Sequence, residues 1–175
     1  MTEKKTRKNS NSSQKRSAAR LAAVQGLYEI ELNGVTVDRV LADFIDHRIG
    51  ATAPMSQGEY EPEVEADLAD PDKVLFAAIL RGVIARLDDF DVMIGHALTS
   101  DWSVERLEAV LRAILRAGAF ELATRTDIPP RVAISEYVDV AKAFFSGPEP
   151  GLVNAVLDRI AKVVRSDDFG GDARA

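Results

Sequence analysis

An all-α domain of about seven helices is the fold class this sequence predicts, and three observations carry it. Apolar residues recur at three- and four-residue spacing in run after run, which gives a helix one face to bury. Proline, glycine and serine clusters separate the runs, most sharply at Asp127-Ile128-Pro129-Pro130 and Ser146-Gly147-Pro148-Glu149-Pro150-Gly151. No segment alternates with period two over the length of a strand.

Residues 1–15 hold one apolar residue among serines, asparagines and basic groups, a composition that cannot offset the entropy of ordering and reads as a disordered basic tail. From Ser17, Leu21, Val24, Leu27, Tyr28 and Leu32 make a helical stripe that Asn33-Gly34 stops. A short helix follows through Val37, Val40, Leu41, Phe44 and Ile45. From about 50 to 69 the chain turns acidic and rich in glycine and proline, an inserted loop longer than ordinary connections. Asp70-Pro71 reads as a helix start, with Val74, Leu75, Ala78, Ile79, Val83 and Leu87 behind it. Phe90, Ile94 and Leu98 either continue that helix past a bend or form a second one.

Trp102 is placed to staple a helix beginning near Val104, whose stripe is Leu107, Val110, Leu111, Ile114, Leu115 and Gly118. Ala117-Gly118-Ala119 suits close packing, either inside the domain or against a second copy in a homodimer. The next helix starts at the prolines, with Val132, Ile134, Val138, Ala141 and Phe145 as its apolar set. The last carries Val153, Val156, Leu157, Ile160, Ala161 and Val164. This organises the chain as a tail at 1–15, one helical domain at 16–165 and a disordered C-terminal tail at 166–175.

The chain has 175 residues and a net charge of −6, but the charge is divided. Residues 1–20 carry Lys4, Lys5, Arg7, Lys8, Lys15, Arg16 and Arg20 against Glu3 alone, so the remainder is strongly acidic. A basic arm on an acidic body fits a nucleic-acid partner and fits a solubilising tail equally well. With no run of about 18 apolar residues no membrane span is expected, and with no cysteine neither is a disulfide. Both fit a cytoplasmic protein.

Catalytic patterns are missing. His47 and His96 stand apart, no nucleophile elbow or phosphate loop occurs, and the acidic loop does not match a calcium-binding spacing, so no enzyme, cofactor or metal is expected. Glu136 and Asp139 share a helical face, but Lys142 makes a solvated ion pair the simpler reading. Asn154 reads as a buried hydrogen-bonding side chain. Arg16 and Arg20, one turn apart, are placed to reach one phosphate backbone or an unpaired base. Phe144 is the candidate stacking aromatic, since Phe145 already fits the buried stripe and the two point about 100° apart.

The segments RSAARLAAVQGLYEIEL at 16–32, LRAILRAGAFELATRTDIPPRVAISEYVDVAKAF at 111–144 and LVNAVLDRIAK at 152–162 closely resemble the NusB family of bacterial antitermination factors. The resemblance implies a NusB-like fold of two small helical bundles and a non-catalytic RNA-binding function. It implies pairing with NusE, a small-subunit ribosomal protein, on the boxA element of nascent ribosomal RNA. Other Nus factors and RNA polymerase would complete the antitermination complex. By position it carries RNA contact onto Lys15, Arg16, Arg20, Tyr28, Arg116 and Phe144. Leu152 departs from the family, where an aromatic commonly precedes the Val-Asn of the last helix, and the Pro148-Glu149-Pro150 turn is unusual. Two other readings are a stand-alone module related to the N-terminal domains of ribosomal RNA methyltransferases, whose methyl-donor domain 175 residues cannot hold, and a protein-interaction adaptor without RNA contact.

Overall fold

The computed structural model describes residues 2–44, 46 and 71–169; the acidic loop, His47 and residues 170–175 lie outside the described residues. Helix α1, Thr2–Asn33, α2, Val37–Asp43, and α3, Lys73–Ala85, form one small bundle. Helices α4, Leu87–Ala97, α5, Ala109–Thr124, α6, Pro130–Phe144, and α7, Glu149–Val164, form the second, and a last turn α8 spans Ser166–Phe169. Among the described residues every regular element is helical. Helix α5 packs on α1, α3, α4, α6 and α7 and so joins the bundles.

Local chemistry sets the helix ends. Gly34, at φ 62°, takes the left-handed conformation that closes α1, and its N–H donates to the Ile30 carbonyl at 3.0 Å. Thr36 caps α2 through the Arg39 N–H at 3.3 Å. Asp72, rather than the expected Asp70, caps α3 through the Leu75 N–H at 3.0 Å, which leaves Pro71 outside the helix. The chain breaks at Arg86, so α3 and α4 are two helices. Pro130 opens α6 at a position where a missing N–H does no harm.

Several expectations are corrected. The helix expected near Val104 begins at Ala109, preceded by a 3₁₀ turn at Val104–Arg106. Arg112 donates to the Val104 and Leu107 carbonyls at 2.9 Å each and ties that turn to α5. Trp102 is 49% exposed and does not close as a staple. In α6 the core face is Ala133, Ile134, Tyr137, Val140 and Ala141, while Val132 faces solvent. The face is rotated because Tyr137 buries completely once its hydroxyl finds an acceptor on α5. Val74 and Asn154, both read as buried or apolar-face residues, are exposed. Residues 166–169, expected in a tail, form α8, held by the Arg165–Asp168 ion pair at 3.1 Å.

The core interlocks both bundles. Phe44 stacks on Phe76 with centroids 5.4 Å apart, and Phe90 meets Phe120 edge-on at 6.1 Å. Ala117, Gly118 and Ala119 are all buried, and a Cβ at Gly118 would lie 2.7 Å from a Leu157 methyl. The small residues therefore serve close packing of α5 on α7 inside the domain. Leu152 packs partly against the same core.

Residues 2–14, where composition predicts a disordered tail, form the first turns of α1. Ser10 to Gln14 are exposed, and the first backbone bond to another element is Asp72 N–H to the Lys15 carbonyl at 3.0 Å.

Candidate nucleic-acid interface

The basic residues at the start of α1 divide by depth. Arg16 is exposed and donates to the Ser12 hydroxyl at 3.1 Å. Lys15 is half-buried on the side of α1 that meets α3, where it lines a shallow cleft with Asn11, Ser12, Asp72 and Val74. Arg20, expected beside Arg16 on the surface, is only 2% exposed. Its Nε and Nη2 bind both oxygens of the fully buried Glu121, at 2.7 and 3.0 Å. Its Nη1 donates to Glu136 Oε2 at 3.0 Å.

Two more groups complete this cluster. Tyr137 donates its hydroxyl to Glu121 Oε2 at 2.6 Å, and Ser17 donates to Glu136 Oε2 at 2.6 Å. Burial by itself would lower the Arg20 pKa, but the hydrogen bond and charge of Glu121, with Tyr137 and Glu136, raise it above its ordinary value. Burial and the Glu121 charge push the Tyr137 hydroxyl well above the usual phenol range. The result is a neutral phenol and a charged fork locked across α1, α5 and α6.

Helix directions place the aromatics. Arg20 pairs with Glu121 while Glu31 pairs with Arg112 and Arg116, so α1 and α5 are antiparallel. A short link joins α5 to α6, and Tyr137 reaches back to Glu121, so these two are also antiparallel. Helices α1 and α6 therefore run the same way from the Arg20–Glu136 contact. Tyr28 and Phe144 each stand eight residues further along, roughly 12 Å by helical rise. They are 37% and 40% exposed, enough to offer a ring face. Arg16 at one end and this aromatic pair at the other define a strip along α1 and α6, with Lys15 on the α3 side of α1.

Arg116 belongs elsewhere. It grips Asp91 of α4 through Nε and Nη2 at 2.7 and 2.8 Å and Glu31 through Nη1 at 2.6 Å. With Arg112 it lines a cleft of about 530 Å³ whose walls include Leu27, Ile30, Ile84, Leu87 and Val104. Arg112 holds the Glu31 carboxyl below its ordinary range. Both guanidiniums bind carboxylates.

The partners of Arg20 went unread in the sequence, though a signal exists. Arg20, Val24 and Leu27 share the spacing of a buried stripe, and Glu121 continues the Ile114–Gly118 stripe of α5. Opposite charges inside two apolar stripes are the mark of a buried pair. Asp139 and Lys142 form the expected exposed ion pair at 3.3 Å, and His96 lies exposed near the end of α4. Among the described residues no group of His, Asp or Glu is placed to hold a metal, and no helix is long and apolar enough to cross a membrane.

The described residues define an all-helical protein of two packed bundles. The NusB family pattern matches residues 17–162, and the chain belongs to the NusB family. It is 51% identical to the transcription antitermination protein NusB of Rhodospirillum rubrum over 89% of this chain and 87% of that one. With the NusB of Caulobacter vibrioides it shares 46% identity over 89% of this chain and 97% of the other. A solved T. maritima NusB structure superposes with a TM-score of 0.68 at 27% identity, covering 88% of this chain and 96% of that chain. NusB in a complex of antitermination factors NusB and NusE with double-stranded RNA has the same fold, with a TM-score of 0.64 at 21% identity, covering 84% and 96%.

Proposed function

We propose that this chain is a non-catalytic transcription antitermination factor of the cytoplasm. It binds the boxA element of nascent ribosomal RNA together with NusE and, with other Nus factors, keeps RNA polymerase resistant to termination. The observation that carries the reading is the strip on α1 and α6, in a chain that family membership ties to antitermination. Lys15 and Arg16 supply cations for phosphate, and Tyr28 and Phe144 supply ring faces for unstacked bases. Arg20 and Arg116 are assigned to positioning rather than contact, because carboxylates bind all three nitrogens of each.

The test is RNA binding by the full chain, with and without its ribosomal partner, to a boxA strand and a scrambled strand. Tighter boxA binding that improves with the partner is expected. Affinity should fall with salt on a log-log slope of about 0.7 per phosphate neutralised, and Arg16→Ala should remove about one such increment. Equal weak binding to both strands, with no partner effect, would leave the protein-interaction adaptor as the better reading.

A further inference from the structure

An RNA-facing strip gains nothing from a fixed negative charge, yet this one carries a carboxylate in its middle. Arg20 is shared by two acids, Glu121 and Glu136. Glu121 is fully buried and takes the bidentate fork plus the Tyr137 hydroxyl, whereas the Glu136 side chain is 22% exposed. The carboxylate of the cluster that reaches the surface is therefore Glu136. Ser17 and Arg20 both donate to the same atom, Oε2, at 2.6 and 3.0 Å. Among the described residues Oε1 receives no hydrogen bond. The carboxylate is thus clamped by one oxygen, with the other left as an acceptor.

We propose that Glu136 is a specificity-determining residue, whose Oε1 accepts a hydrogen bond from the exocyclic amino group of one unstacked base in the bound RNA. This rests on the RNA-binding reading above. A carboxylate only accepts, and among RNA bases cytosine, adenine and guanine carry an amino donor while uracil does not. Its charge also turns phosphates away, which sets which part of the strand can pass over the middle of the strip. Rigidity matters because an acceptor already fixed by Ser17 and Arg20 loses little freedom when a base docks.

Glu136→Gln tests this without dismantling the cluster. The amide oxygen can stay on Arg20 and Ser17, which turns the NH2 outward and exchanges an acceptor for a donor. The experiment measures binding of the full chain with its ribosomal partner to boxA RNA and to strands in which each cytosine, adenine or guanine is replaced singly by uridine. Thermal melting of each variant confirms folding. At one position the wild type should lose about tenfold or more on replacement, and E136Q should lose nothing or prefer uridine there. Ser17→Ala, which loosens the clamp but keeps the charge, should give an intermediate loss at that same position. If E136Q follows the wild type at every position, Glu136 reads no base and the proposal is overturned. If the wild type itself fails to prefer boxA to the scrambled strand, the RNA-binding reading falls first and this one falls with it.

Discussion

Two arginines one helical turn apart have opposite fates, and depth alone separates them. Arg16 ends in solvent beside Ser12, while Arg20 points into the junction of α1, α5 and α6 and is consumed by Glu121 and Glu136. Removing a partner from a buried pair leaves an uncompensated charge, so Arg20→Ala should cost about 3 to 5 kcal/mol in urea unfolding. Arg16→Ala should stay within about 0.5 kcal/mol while weakening RNA binding. Equal stability of the two variants would mean that Arg20 is not anchored as described. Charge type and spacing were readable in the sequence, but whether a guanidinium meets water or a carboxylate depends on Glu121, which lies 101 residues away.

At the scale of elements, α1 has two unlike halves. From Ala19 to Leu27 its inner face is buried against α3 and α5, whereas Ser10 to Gln14 are exposed and held by little beyond their own helical bonds. A helical end without packing is marginal in water. Amides of residues 10–14 should therefore exchange with solvent far faster than those of Ala22 to Leu27 in the free protein. Comparable protection of both halves by hydrogen exchange would overturn the basic tail as an unpacked arm. Element existence was legible because each stripe has a clear period and each break carries proline or glycine. Rotation of α6 was not, since Val132 and Tyr137 both suit an apolar face and only the Glu121 acceptor decides between them. Nor was the Asp72 cap, because Asp70-Pro71 offers a local signal of the same kind. Of the interface, Lys15, Arg16, Tyr28 and Phe144 were legible and its central carboxylate was not, because Glu136 reads as one more charge on a solvated helix until Ser17 and Arg20 are brought to it.

For the whole molecule, the two ion clusters set opposite limits on pH stability. Glu31 has a folded pKa below its ordinary 4.5, chiefly through the hydrogen bond from Arg112. Its stabilisation is present above that value and is lost as pH falls through the lowered folded value. Tyr137 has a folded pKa well above the ordinary 10.0, chiefly through burial. Its contribution is full below that value and is lost as pH rises beyond it. Urea midpoints should thus form a plateau bounded on both sides. Tyr137→Phe should flatten the alkaline fall, at a cost of about 1 to 3 kcal/mol near neutrality from the donor removed from Glu121. An unchanged alkaline slope in that variant would show that another group controls it.

The clasp between Arg20 and Glu121 also has a consequence in time. The two residues are 101 positions apart, and ribosomes add roughly 5 to 20 residues per second. For about 5 to 20 s of synthesis, Arg20 therefore waits for the carboxylate of Glu121. The arm proposed to hold nascent RNA is therefore among the first parts of the chain to be made and, for want of α5, among the last to be secured.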